Sequence, residues 1–314
     1  MNTLATLLRR VLAKTIRTPD NYGYSDCADH SGQAASDVIK MELLSSKPSM
    51  ICRLGAVELD CVLDYCNQPS LKNYIRYIRS EIVSLGWRDS TRLAMSNNAG
   101  FFPVTESNLE RFALLMLESM RQVDILGTWL KQERLFRDQL RQSQTIPLGD
   151  LEPFKHRDPW SVALEGRSVL VVHPFEATIL RQFGKRAHLF SDKRVLPDFE
   201  LQTLRAVQSI ANNRTQFDTW FAALDFMTSE VHKRRFDIAI IGCGAYGFPL
   251  AAAVKGMGKK AIHLGGATQL LFGIKGKRWE ERNNYRPMFN EYWIRPLPED
   301  RPANFENVEG GCYW

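Results

Sequence analysis

No stretch of this sequence stays apolar for the ~20 residues that a membrane-spanning helix needs, so a spanning helix is not expected. The six cysteines (Cys27, Cys52, Cys61, Cys66, Cys243 and Cys312) include no C-x-x-C pair, which argues against a zinc site. Cys52, Cys61, Cys66 and Cys243 stand among apolar residues, where free thiols are usually buried, and a reducing cytoplasm is the expected location. There is no internal repeat, no low-complexity tract and no DNA- or RNA-binding motif. The net charge of +6 comes from scattered Lys and Arg, with local clusters at Lys233–Arg235 and Lys275–Arg286. Anionic small molecules or lipids are therefore expected as partners, and nucleic acid is not.

What remains is an ordinary globular composition, 44% hydrophobic and 24% charged over 314 residues, enough for one large domain or two small ones. Residues 1–17 place Leu4, Leu7, Leu8, Val11, Leu12 and Ile16 on one helical face, with Arg9, Arg10 and Lys14 opposite. Such a helix suits an anionic membrane surface, or docks on the domain as a plain terminal helix. Residues 1–34 are read as this helix and a loop, 35–290 as an α/β domain, and 291–314 as a tail packed on it.

Within the domain, β-prone runs alternate with helical ones. Strands are expected at Met50–Leu54, Leu93–Ser96, Val123–Leu126, Ser168–Val172, near His188–Phe190, and at Phe236–Ile241 and Ala261–Leu264. Helices are expected over about 35–45, 57–66, 70–86, 105–121, 176–184 and 215–233. This order implies a mainly parallel, Rossmann-like sheet with helices on both faces and a ligand beyond the carboxyl ends of its strands.

The strongest local signal is Phe236-Asp-Ile-Ala-Ile-Ile-Gly242-Cys-Gly244-Ala-Tyr246-Gly247, followed by a small-residue helix and a second β run ending at Gly265-Gly266. The first glycine permits a tight turn, the second a close approach to a ligand, and the third close helix–strand packing. The carboxylate that would hold an adenosine ribose about 20 residues on is missing, because the second strand ends His263-Leu-Gly-Gly. A phosphate-bearing ligand other than NAD is expected.

Further candidates sit at the other strand ends. Arg53 precedes Gly55 and Glu58; a guanidinium there suits phosphate, and Glu58 can orient it, ligate a divalent cation or act as a base. The same two residues also read as a structural ion pair at a helix N-terminus. Asn97 and Asn98 suit sugar hydroxyls or a uracil edge, and are also ordinary turn residues. His173 ends an apolar strand and can meet phosphate or move a proton, or be a satisfied buried histidine. Gln269 to Trp279 carries Lys275, Lys277 and Arg278 between glycines, a composition that can close over a diphosphate. Tyr292, Trp293, Tyr313 and Trp314 can stack on sugar rings, and most of them are expected to pack.

Taken together, Ile51-Cys-Arg53-Leu-Gly55-Ala56-Val-Glu58-Leu and Asp237 to Gly266 resemble two segments of the GT-D-type bacterial glycosyltransferases, over about residues 48–280. The words Gly-Cys-Gly-Ala-Tyr-Gly and Phe-Gly-Ile-Lys-Gly-Lys-Arg-Trp are similar to a polysaccharide-biosynthesis branch of that group. The resemblance implies cytoplasmic transfer of a sugar, hexosyl in type, from a nucleoside diphosphate donor, UDP favoured. The acceptor would be a glycan or lipid-linked chain of capsule or O-antigen, with peripheral contact at the inner membrane face. It also implies a Mn or Mg ion on an Asp-x-Glu pair, of which Ala56 replaces the first acid, leaving Glu58. Two other readings stay open: a non-catalytic nucleotide- or glycan-binding scaffold, and an NAD(P)-dependent sugar-modifying enzyme.

Overall fold

The structure is a computed structural model, and it describes Thr6, Arg9, residues 28–307 and residues 310–314. Apart from Thr6 and Arg9, the expected basic helix of residues 1–17 lies outside the described residues, as does Cys27. Arg9 donates to the Val83 carbonyl at 2.8 Å, and its guanidinium sits 4.4 Å from the Tyr77 ring centre.

In chain order the principal elements are α1 (Gln33–Leu44), β1 (Ser49–Cys52), α2 (Ala56–Cys66), α3 (Leu71–Ile78), α4 (Asp89–Asn97), α5 (Glu106–Met120), β2 (Ile125–Thr128) and β3 (Gln144–Pro147). They continue with β4 (Ser168–His173), α6 (Glu176–Phe183), α7 (Arg186–Leu189), β5 (Glu200–Arg205), α8 (Trp220–His232), β6 (Ile238–Ile241), α9 (Gly247–Gly256), β7 (Lys260–His263), α10 (Ala267–Leu271) and α11 (Lys277–Glu280). The strands form one sheet in the order β3-β2-β1-β7-β6-β4-β5, with every neighbouring pair parallel. The expected Rossmann-like α/β architecture is what the chain adopts.

Every residue of β1, β2, β6 and β7 is buried, as a parallel sheet covered on both faces requires. Alternation along the strands then assigns side chains to two cores. Met50, Cys52, Leu170, Val172, Ala239, Ile241 and Ala261 face α2, α5, α8 and α9, with Phe112 and Trp220 at the centre. Ile51, Ile125, Val169, Val171, Ile238, Ile240 and Ile262 face α1, α6 and α10, together with Trp160, Trp293 and Trp314. The described residues of the tail, 291–307 and 310–314, thus pack on the second face, tied in by an isolated bridge between Ile274 and Ile294. Caps set the helix starts: Thr105 accepts from Asn108 N–H, and Thr219 from Ala222 N–H, which starts α8 at Trp220 rather than near 215.

Four local expectations are corrected. Leu93–Ser96 is helix, not strand, because Thr91 and Met95 bury at helical spacing while Leu93 stays exposed. His188–Phe190 follows the same pattern: the short helix α7 ends in one extended residue. The helix expected over 70–86 stops at Ile78, and Ser80 takes a left-handed φ of 60°. Cys66, on the last turn of α2, is exposed rather than buried. Two edge strands, β3 and β5, were not expected at all. Both are polar, and pairing with β2 and β4 makes them strands.

The chain leaves β4 toward β5 and leaves β6 toward β7, in opposite directions across the sheet. Their carboxyl-end loops therefore diverge and open a crevice, the position where ligands settle on such sheets.

Candidate functional site

A cavity of about 270 Å³ lies across the carboxyl ends of β1, β7, β6 and β4, with Trp129 reaching in from the end of β2. That volume is near the lower bound for small-molecule sites. Of the residues singled out in the sequence, Arg53, Gly55, Glu58, Asn98, His173, Gly242, Gly244, Tyr246, Gly265, Gly266, Gln269 and Arg278 line it. Asn97, Gly247, Lys275 and Lys277 do not.

Arg53 follows the last residue of β1 and is half-buried. Its guanidinium lies 4.8 Å from the Trp129 ring centre, a cation–π arrangement, and makes no hydrogen bond or ion pair to protein among the described residues. Burial lowers its pKa, opposed by the charge of Glu58. Arg278, at the start of α11, lies 4.6 Å from the Tyr313 ring centre and donates to the Tyr313 hydroxyl at 2.9 Å. Two guanidinium groups, each set against an aromatic ring, thus reach one cavity from opposite ends of the chain.

Glu58 sits in the first turn of α2, where its carboxylate folds back over Gly55 and accepts from its own backbone N–H. A Cβ on Gly55 would lie 1.8 Å from Glu58 Oε2, so only glycine lets the carboxylate take this place. Burial raises the Glu58 pKa above the usual carboxylate range, against the lowering effect of its own N–H and of Arg53. No ion pair joins Glu58 to Arg53 among the described residues. Asp60 points elsewhere, to Arg88 at 3.2 Å, which also holds the buried Asp64 at 2.6 Å.

Glu58 is the one carboxylate that lines the cavity, and no group of three or more His, Cys, Asp or Glu side chains suited to a metal occurs among the described residues. One carboxylate facing two guanidinium groups is a poor donor set for a divalent cation. The residues present do not fit the expected Mn or Mg site.

Two buried histidines close the floor. His173 ends β4, and its Nδ1 accepts from Phe175 N–H at 3.0 Å, which fixes the proton on Nε2. His263 ends β7, and its Nδ1 lies 3.2 Å from the Ile241 carbonyl, which can only accept, so here Nδ1 carries the proton. Desolvation pushes both down to about 3, with the charge of Arg53 adding to the effect at His263. They are neutral rings of opposite tautomer. Between them, Gly244 takes a φ of 58° with open space where a side chain would be, which makes it the residue that turns the chain at the cavity.

The loop after β5 forms the opposite wall. Tyr246 stacks on Trp220 at 4.7 Å, and its hydroxyl lies 2.9 Å from Ser209 Oγ, which donates to the Gly100 carbonyl at 2.6 Å. Ala211 and Asn212 in this loop both adopt left-handed φ, at 55° and 56°, a strained pair of the kind found at ligand rims.

The amide and basic-loop expectations need correction. Asn97 lies at the end of helix α4, not on a strand tip, and its Oδ1 accepts from Asn212 at 2.7 Å. Lys275 lies 3.6 Å from Glu280, and Lys277 is exposed on the outer side of α11. Only Arg278 of the three cations reaches the cavity. Trp129, Ser209 and His263 line it without having been singled out as site residues, and Tyr313 and Trp314, read as stacking or packing aromatics, line it too. For His263 a signal existed: like His173, it ends a buried strand.

No family model matches this chain, and neither a curated protein nor a solved structure does.

Proposed function

We propose that this chain is a glycosyltransferase that moves a sugar from a nucleoside diphosphate sugar, UDP-type by preference, to a glycan or lipid-linked acceptor in surface polysaccharide assembly. A cytoplasmic place at the inner membrane face belongs to the same proposal. The observation that carries it is the pair of cavity-lining guanidinium groups, Arg53 and Arg278, set at the switch point of a parallel sheet beside one raised carboxyl group. Planar guanidinium groups suit phosphate oxygens, and two of them offset the charge that develops on a departing diphosphate.

In the transfer, the acceptor hydroxyl attacks the anomeric carbon and gives its proton to Glu58. The bond from that carbon to the diphosphate oxygen breaks, and the nucleoside diphosphate leaves with the electron pair. A carboxyl group whose pKa is raised toward neutrality is better matched to this proton transfer than an ordinary one. His173, on the floor of the same cavity, adds a neutral Nε2–H donor.

One observation favours a second reading, a non-catalytic binder of the same ligand class. The Glu58 carboxylate is folded over the N-terminus of α2, where it satisfies the helix rather than a substrate. A thermal-shift panel of UDP-, GDP-, CMP- and dTDP-sugars, with NAD(H) and with Mn²⁺ present or absent, tests the ligand class. Stabilisation by a nucleotide sugar is expected. A response to NAD(H) alone overturns both readings.

A further inference from the structure

Trp129 backs Arg53, yet its placement is unusual for so large an apolar ring. It lines the cavity and remains 40% exposed, while its surroundings hold it in a fixed orientation. The indole Nε1–H donates to the Leu54 carbonyl at 2.9 Å. Its backbone N–H donates to Glu133 at 3.3 Å, and the buried Glu133 also accepts from Thr128 Oγ1. The Arg53 guanidinium lies over the ring at 4.8 Å. An aromatic plane fixed at its edge, backed by a cation and part-open to a cavity, is a stacking platform.

Its position along the sheet says for what. From Trp129 just after β2, the rim runs through Arg53 just after β1, Gly265 after β7 and Gly244 after β6 to His173 at the end of β4. Those are four inter-strand spacings of about 4.8 Å each, enough for an extended ligand to cross the sheet. The guanidinium that suits a diphosphate is next to the platform, and the turn and neutral histidines lie farther along.

We propose that Trp129 stacks the nucleobase of the ligand, so that the base lies at the β2 end, the diphosphate over β1 and β7, and the transferred sugar toward β6 and β4. This inference rests on the nucleoside diphosphate reading of the same cavity and gives it a direction. It also assigns Glu133, which does not line the cavity, the job of positioning the Thr128–Trp129 turn.

The test compares two probes, UDP and inorganic pyrophosphate, titrated by calorimetry into the full chain, Trp129→Ala and Trp129→Phe. Wild type is expected to bind UDP more tightly than pyrophosphate. Trp129→Ala is expected to lose roughly 5- to 150-fold in UDP affinity, the range for one base–aromatic stack, with pyrophosphate affinity held within about 2-fold. Trp129→Phe, which keeps a ring, is expected to recover most of the loss. If Trp129→Ala weakens both probes equally, the ring only props Arg53 and the platform is refuted. Equal wild-type affinity for the two probes refutes the base subsite and leaves the diphosphate reading standing. Binding of neither probe overturns both.

Discussion

His263 occupies the space that a side chain on Gly247 would need: a Cβ there would lie 2.2 Å from the imidazole Cε1. The third glycine of the turn is thus required by His263 at the end of β7, sixteen residues further along the chain, and serves the packing of α9 against that strand. The consequence is an ordered pair of stability effects. Gly247→Ala overpacks a fully buried ring and is expected to cost about 1–3 kcal/mol. Gly244→Ala meets open space but a left-handed backbone, for about 1–2 kcal/mol. Urea denaturation of both variants measures them, and a neutral Gly247→Ala would contradict the contact.

The two histidines give a second test. Both are held neutral by burial, with values down to about 3 against an ordinary 6.5. A depressed histidine pKa means the unfolded chain binds protons that the folded chain refuses. Stability from these groups is therefore fully present above pH 6.5 and is lost as pH falls toward 3, by up to ~1.4 kcal/mol per pH unit for each ring. The raised Glu58 and Glu133 act in the opposite sense, stabilising the fold as pH falls through their raised values. Long-range ¹⁵N–¹H correlation spectra isolate the histidines: His173 is expected as the Nε2–H form and His263 as the Nδ1–H form, neither titrating between pH 7.5 and 5. A midpoint near 6.5 for either ring rejects its burial.

Much of this was legible because strand, turn and helix are local signals. Arg53, Gly55 and Glu58 fall within six residues of one strand-to-helix turn, and Gly242 to Gly247 form another, so both parts of the cavity could be read without a fold. The walls could not. Tyr313 comes under Arg278 only because the described tail residues, among them Trp293, Phe305 and Trp314, pack on the second face of the sheet, a packing event that no spacing announces. Ser209 and the strained Ala211–Asn212 pair follow β5, a strand with no apolar run, visible only through its pairing with β4. Lys277 and Arg278 are adjacent in sequence, but a helix turns neighbours about 100° apart, so one faces solvent and the other the cavity.

That division yields a third outcome. Arg278→Ala removes a charge-assisted contact and is expected to weaken nucleotide-sugar binding by roughly 10- to 150-fold, from about 1.5–3 kcal/mol. Lys277→Ala, exposed and off the cavity, is expected to leave it within about 2-fold. Equal losses in the two variants, measured on folded protein, point to a diffuse basic surface instead.

Glu58 separates catalysis from binding. Glu58→Gln keeps the shape over Gly55 and removes the charge, so the melting temperature is expected to move little. As the base, Glu58 is needed for turnover, and product formation is expected to fall ~10²-fold or more with donor affinity retained. Unchanged turnover per folded molecule removes the carboxylate from the reaction and favours the binder.

The most direct measurement is calorimetry of the wild-type chain against nucleotide sugars and NAD(P)(H) in one buffer, repeated with Arg53→Ala. Micromolar binding of at least one nucleoside diphosphate sugar, weakened tenfold or more by Arg53→Ala, with no NAD(P) binding, is the expected result. Micromolar NAD(P) binding with no response to any nucleotide sugar would contradict it.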